Sequence, residues 1–182
     1  MKFAKTRLAD AVMITLEKRG DARGYFARTF CAEAFAEAGL ETRFVQANTS
    51  HNFRAGTLRG MHFQRVPHGE VKLMRCVRGA VHDVIIDLRP GSPSYGRWEG
   101  FDLTEEGGDM LYVPAGFAHG FQTLRDDTAV AYQVSHPYTP AAEGGVRFDD
   151  PAFGIAWPLP VTTISEKDAA WPDVDLQAGV PI

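Results

Sequence analysis

Short runs of apolar and polar positions alternate along most of the chain, and turn residues punctuate them. Val71 to Val77, Val81 to Leu88, Met110 to Val113 and Ala129 to Val134 are such runs. Gly56, Gly69, Gly79, Pro90-Gly91, Gly107-Gly108, Asp126-Asp127 and Pro140 supply the turn signals. Within His82–Leu88, Val84, Ile86 and Leu88 share one face and Asp83 and Asp87 the other, which predicts a half-buried strand. Residues 10 to 18 form a further apolar-rich strand candidate. One stretch has a different period. Cys31, Ala34, Phe35 and Ala38 recur at i, i+3, i+4 and i+7, and Gly39 follows as a stop, so a short helix is predicted there. Many short strands at this spacing, with a few short helices, predict an all-β sandwich or jelly roll. No internal repeat or linker interrupts the pattern, so residues 1–182 are expected to form one domain. The tail after Trp157, rich in Pro and polar residues, is expected to wrap the surface.

Composition narrows the function classes. The length of 182 residues suits one domain with its own core, and 45% of residues are apolar. Net charge is −4, from 19 basic and 23 acidic residues, without a Lys/Arg run. That balance offers no surface for a nucleic-acid backbone or an anionic membrane. No apolar run reaches the length of a membrane span, and the first ten residues lack the apolar stretch of a secretion signal. Cys31 and Cys76 form no metal-type spacing. A cytoplasmic location with reduced thiols is the expectation.

Six histidines, at 51, 62, 68, 82, 119 and 136, are candidates for acid–base or ligand chemistry. A lone histidine is more often structural than functional, so context decides. His119 closes the spacing Gly108, five residues, Pro114, one residue, Gly116, two residues, His119. This is similar to the second sequence motif of cupins and implies a cupin jelly-roll barrel. Metal cupins also carry an HxH pair in their first motif, because ligands on one face of a strand stand two residues apart. His62 is followed by Phe63 and Gln64, and the next His is six residues on. No metal is therefore expected, and the histidines are free for proton transfer.

The motifs Asp21-Ala22-Arg23-Gly24-Tyr25-Phe26, Phe44-Val45-Gln46-Ala47-Asn48, Leu58-Arg59-Gly60-Met61-His62-Phe63-Gln64, Lys72-Leu73 and Asp87-Leu88-Arg89 follow one another in order. Ser92-Pro93, Tyr95-Gly96, Pro114 to Phe121, Tyr132, Tyr138, Asp150-Pro151 and Trp157-Pro158 continue the series. Together they resemble the dTDP-4-dehydrorhamnose 3,5-epimerases, from about residue 20 to about residue 170. The resemblance implies an isomerase, without cofactor, that inverts carbons next to the 4-keto group of a nucleotide-linked 6-deoxy sugar. That chemistry needs a base for a weakly acidic proton, a charge partner for the enolate oxygen, and an acid on the opposite side. By resemblance His62 is the base, Asp168 the carboxylate that orients it, Tyr132 the acid and Lys72 the cation near the oxyanion. His119 becomes a second substrate contact, and Arg23 and Arg59 grip the diphosphate. Tyr138 stacks on the nucleotide base. Gln46, Asn48 and Glu143 line the substrate site. The resemblance also implies a homodimer that exchanges an N-terminal segment between jelly rolls.

Three positions depart from the family pattern. Arg28 stands where a Glu near the nucleotide base is usual, and so counts as a substrate-binding candidate that bears on the choice of base. Glu70 replaces a Gln, on the same strand face as Lys72, where it is able to pair with that ammonium. Gln133 replaces a Lys. Each site residue also has a bland reading alone: Tyr132 as a core tyrosine, Asp168 as a turn cap, Arg59 as an ion-pair partner, Lys72 as a solvated strand residue. The competing functions are a related cupin epimerase for another nucleotide sugar or for one carbon, a non-catalytic sugar-nucleotide-binding cupin, and a metal cupin. The opposed acid and base argue against mere binding, and the missing HxH pair against the metal cupin.

Overall fold

Turn residues cut the chain into thirteen strands and two short helices, which the computed structural model describes over residues 1–182. In chain order they are β1 (Lys2–Lys5), β2 (Val12–Thr15), β3 (Arg19–Asp21), β4 (Gly24–Phe26), α1 (Ala32–Glu37), β5 (Gln46–Asn52), β6 (Leu58–Gln64) and β7 (Lys72–Arg78). There follow β8 (Ala80–Asp87), β9 (Trp98–Thr104), β10 (Met110–Val113), β11 (Phe117–Thr123), β12 (Thr128–Val134), β13 (Glu143–Gly145) and α2 (Glu166–Ala169). Two antiparallel sheets result: six strands in the order β1-β2-β10-β7-β12-β5, and five in the order β13-β6-β11-β8-β9. β3 and β4 pair as a separate hairpin. This is the jelly roll that the sequence predicts.

The alternation in the sequence fixes which faces meet. Met74, Cys76, Leu111 and Val130 from the six-stranded sheet pack against Val81, Ile85, Leu103, Phe117 and Phe121 from the five-stranded one. The outer faces are covered as well. α1 forms one residue inside the predicted helix limits, with Phe35 buried and Gly39 at φ +71°. Phe35 packs with Ile14, Leu73 and Met110 over the six-stranded sheet. The tail beyond residue 146 covers the five-stranded sheet, where Val146, Phe153 and Val180 join Met61, Phe63, Val84 and Ile86.

The tail covers the β8 face that carries Val84, Ile86 and Leu88, whereas Asp83 and Asp87 share the inner face with Val81 and Ile85, and there the expectation needs correction. β8 was expected to bury one face only, yet Asp83 and Asp87 are both 0% exposed. A buried carboxylate needs compensating partners. Asp87 accepts hydrogen bonds from Arg89, Ser92 and Ser94, which hold its carboxyl below the usual carboxylate range although burial alone pushes it up. Asp83 lies against His119.

One irregularity matters for the site. Across β11 and β6, His119 faces His62 while Phe121 faces Arg59. Three residues on β11 (119–121) thus span four on β6 (59–62), which is a bulge. Partners across a ladder share a face, so Arg59 and His62 both point inward although they stand three apart. The strands touch closely there: a Cβ on Gly120 would lie 2.6 Å from Met61 Sδ and 2.7 Å from the Arg59 carbonyl oxygen. Gly120→Ala should accordingly cost about 1–3 kcal/mol of stability by overpacking against backbone, and should disturb His62 and His119 together. Chemical denaturation of the variant checks the expectation, and a stability equal to that of the native chain would refute it.

Candidate active site

Register places the inward-facing residues. On β12, Tyr132 stands opposite Asn48 of β5 and Met74 of β7, and Val134 stands opposite Gln46 and Lys72. Strand period two then puts Gln46, Asn48, Lys72 and Tyr132 on one face of the six-stranded sheet. The five-stranded sheet answers with Arg59, His62 and His119, and with Glu143, paired opposite Gln64. All eight line one cavity of about 970 Å³ between the sheets. Tyr138, Lys167 and Asp168 also line it.

His62 is fixed by the tail. Leu58 N donates to the Thr163 carbonyl (2.8 Å), which pins the tail along the start of β6. The chain then turns into α2, where Ser165 Oγ caps the helix by accepting from Asp168 N (3.1 Å). Asp168, 4% exposed, meets His62 Nε2 at 2.7 Å with Oδ1 and accepts from Gly60 N at 3.1 Å with Oδ2. Burial pushes this carboxyl up. The hydrogen bonds from His62 and Gly60 and the neighbouring positive charge outweigh it, and the group lies below its ordinary value. With Nε2–H given to the carboxylate, Nδ1 is the lone-pair nitrogen of His62.

A second histidine is held in the same way. His119 Nε2 lies 3.0 Å from both oxygens of Asp83. Lys72 is buried, not solvated, and its Nζ meets Glu70 Oε1 at 3.2 Å, so the pairing expected from strand alternation is present. Burial, and after it the charge of Glu70, holds the Tyr132 phenol above its ordinary 10.0, against an opposing pull from Arg59. Arg59 is aimed by Asn52, whose Oδ1 accepts from its Nε at 2.7 Å. At the mouth, Tyr138 is 57% exposed, and its hydroxyl donates to Glu143 Oε2 (3.0 Å) while Lys167 Nζ holds Oε1 (2.7 Å). Gln46 Oε1 accepts from Tyr138 N at 2.7 Å and so also positions that loop.

Two expected contacts stand elsewhere in this chain. Arg23 sits at the tip of the β3–β4 hairpin, 89% exposed and paired with Asp21, and Arg28 is exposed beyond the hairpin. Neither lines the cavity. Asp83 and Asn52 were not singled out from the sequence. Asp83 looked like a solvated residue by alternation, and only strand pairing shows His119 beside it. Ser165 did leave a signal, the Ser-x-x-Asp pattern of a helix start at 165–168. No three His, Cys, Asp or Glu side chains are grouped so as to hold a metal ion. No helix is long and apolar enough to cross a membrane.

With this geometry in view, comparison with known proteins is decisive. The sequence profile described as dTDP-4-dehydrorhamnose 3,5-epimerase matches residues 5–175. The chain belongs to the dTDP-4-dehydrorhamnose 3,5-epimerase family. It is thus similar to isomerases that act on sugar nucleotides. The dTDP-4-dehydrorhamnose 3,5-epimerase of Sinorhizobium fredii is 45% identical over 175 residues, 96% of this chain and 90% of that protein. The dTDP-4-dehydrorhamnose 3-epimerase of Streptomyces niveus is 44% identical over 156 residues, 85% and 75% of the two chains. A crystal structure of the Bacillus anthracis 3,5-epimerase with TDP and pyrophosphate bound superposes with a TM-score of 0.92 at 38% identity, covering 95% of this chain and 99% of that one.

The depressed carboxyl gives the epimerase fold a pH signature. Asp168 is ionised in the folded state at a lower pH than in the unfolded chain. Its contribution to stability is therefore complete above the ordinary carboxyl value of 3.8 and is lost as pH falls through the folded-state value. Asp168→Asn should be less stable at neutral pH, and its stability should fall less steeply than that of the native chain below pH 4 or so. Denaturation followed from pH 7 down to pH 3 or so checks this. Parallel curves for the two proteins would rule it out.

Proposed function

We propose that this protein inverts the carbons flanking the ketone of a dTDP-linked 4-keto-6-deoxy sugar, with His62 as base and Tyr132 as acid. The observation that carries the reading is their placement on opposite sheets across one cavity, with His62 locked by a buried carboxylate. His62 Nδ1 takes the proton alpha to C4. The C–H electron pair moves into the ring bond, and the carbonyl pair moves onto oxygen, which becomes an enolate. Lys72 and His119 face that oxygen, and a fixed cation in a shielded cavity stabilises it more than water does. Tyr132 Oη then delivers a proton to the same carbon from the opposite side. The raised phenol value suits this role, because the acid stays protonated at neutral pH. Arg59 grips the diphosphate with a planar fork. Tyr138 presents an exposed ring for the base, with Asn48, Gln46 and Glu143 around the sugar nucleotide.

Solvent exchange in heavy water separates the roles. His62→Ala should slow alpha-proton exchange by about 100- to 10,000-fold while nucleotide-sugar binding stays within several-fold. Tyr132→Phe should keep slow exchange but lose inversion, since proton removal survives and opposite-face delivery does not. Near-native epimerisation by His62→Ala would overturn the assignment of the base, and a native chain that binds the nucleotide sugar without exchange would favour a binding role instead. Two deuterium atoms in the product mark a 3,5-epimerase, and one marks the single-carbon chemistry named for the Streptomyces niveus relative.

A homodimer belongs to the same reading. Tyr25 and Phe26 on the β3–β4 hairpin are 58% and 66% exposed, an unusual display for aromatic side chains on a small projecting element. A second copy that receives the hairpin would cover them and bring Arg23 and Arg28 to its own cavity. Sedimentation at micromolar concentration should give a dimer, and Arg23→Ala should raise KM about tenfold or more with the dimer intact. A clean monomer with native KM would exclude the arrangement.

A further inference from the structure

The loop between β6 and β7 carries a buried carboxylate that the reaction scheme leaves unused. The side chain of Glu70 is 11% exposed, and it lines the cavity. Its Oε1 lies 3.2 Å from Lys72 Nζ, itself 10% exposed. Its Oε2 accepts from Gln64 Nε2 at 3.2 Å. Gln64 also donates to the Pro137 carbonyl (3.2 Å) and accepts from Thr139 N (2.6 Å), the two residues that flank Tyr138. One carboxylate thus joins the cation on the cavity wall to the loop at its mouth.

We propose that Glu70 is a positioning residue that anchors the Lys72 ammonium at the cavity wall and couples it, through Gln64, to the segment bearing Tyr138. The proposal rests on the roles given above to Lys72 and Tyr132. A lysine has four rotatable side-chain bonds and no built-in direction. A buried anion at hydrogen-bond distance selects one conformer and compensates the charge before substrate arrives. When the enolate forms, the ammonium already points at the oxygen and little reorganisation remains. The charged and titratable groups facing Glu70 are Lys72 on the strand that follows it and Tyr132 from β12. The His68–His136 pair meets the same clamp through the His68 carbonyl, which also accepts from Gln64. Glu70 has a second effect through space, because its charge helps to keep Tyr132 a phenol.

The test uses Glu70→Gln, which keeps the shape and removes the charge, and Glu70→Asp, which keeps the charge and shortens the reach. Glu70→Gln should lower kcat about tenfold with KM within about threefold, in the range that a small misplacement of a catalytic group costs. Loss of a nearby negative charge lowers the Tyr132 value, so the alkaline limb of kcat should move to lower pH. Glu70→Asp should lower kcat and leave the limb in place. In a Lys72→Met background, Glu70→Gln should have little further effect on alpha-proton exchange. An unmoved limb in Glu70→Gln, or full multiplication of its effect with Lys72→Met, would overturn the proposal. Should Glu70→Gln fail to fold, native kcat in Glu70→Asp would overturn it alone. Native activity in Lys72→Met and Tyr132→Phe would instead sink the underlying scheme, so the two failures are distinct.

Discussion

The contact between Asp168 and β6 is the constraint on which the arrangement turns. A carboxylate from the tail, 106 residues along the chain from His62, is buried against that imidazole and the Gly60 amide. A charge so removed from water is tolerated only where hydrogen bonds satisfy it. The tail must therefore take one path: paired at Thr163 with the start of β6, turned by the Ser165 cap, then closed over the outer face of the five-stranded sheet. The same path that orients His62 also buries that outer face, so the cavity and the stability of the fold share one segment.

The bulge at Gly60 complements this. A regular strand would send Arg59 and His62 to opposite faces, and the cavity would lose one or the other. The extra residue lets both face inward, and the glycines at 60 and 120 let the two strands come close enough for the ladder to continue on either side. Across the cavity, the regular register of β5, β12 and β7 does the opposite task. It stacks Asn48, Tyr132 and the Lys72–Glu70 pair along one face with no irregularity at these residues.

Much of this was legible in the sequence. Period-two runs marked β7, β8, β10 and β12 to within a residue or so, and the period-3.6 run around Phe35 marked α1. The chemistry-bearing residues of β6, β7, β11, β12 and the tail were found by ordered motifs, and the cavity gathers them. What escaped was pairing across strands. Asp83 and Asp87 read as a polar face because alternation sorts residues by side but does not say what covers that side. The opposing sheet and the bond to His119, both distant in sequence, decide it together with the local bond from Arg89. Asn52 escaped for the same reason, since its bond to Arg59 crosses a turn from β5 to β6. Arg23 and Arg28 show the converse limit. A motif names a residue's chemistry, but a single chain does not bring it to the cavity.

The electrostatics of the cavity follow from these placements. His62 and His119 are each backed by a buried aspartate, and Lys72 by a glutamate. Arg59 instead meets the neutral Asn52. Its guanidinium keeps a charge that no carboxylate compensates, and under the proposed function a diphosphate would supply the missing anion. The directed, carboxylate-backed groups would then serve reversible proton transfer, since a base that holds its proton too strongly cannot give it back. The cavity thus runs from an open positive charge at Arg59 to carboxylate-backed groups at His62, His119 and Lys72. Under the proposed function, that gradient would orient a substrate with a doubly ionised diphosphate at one end and a neutral ketone at the other before any bond is made.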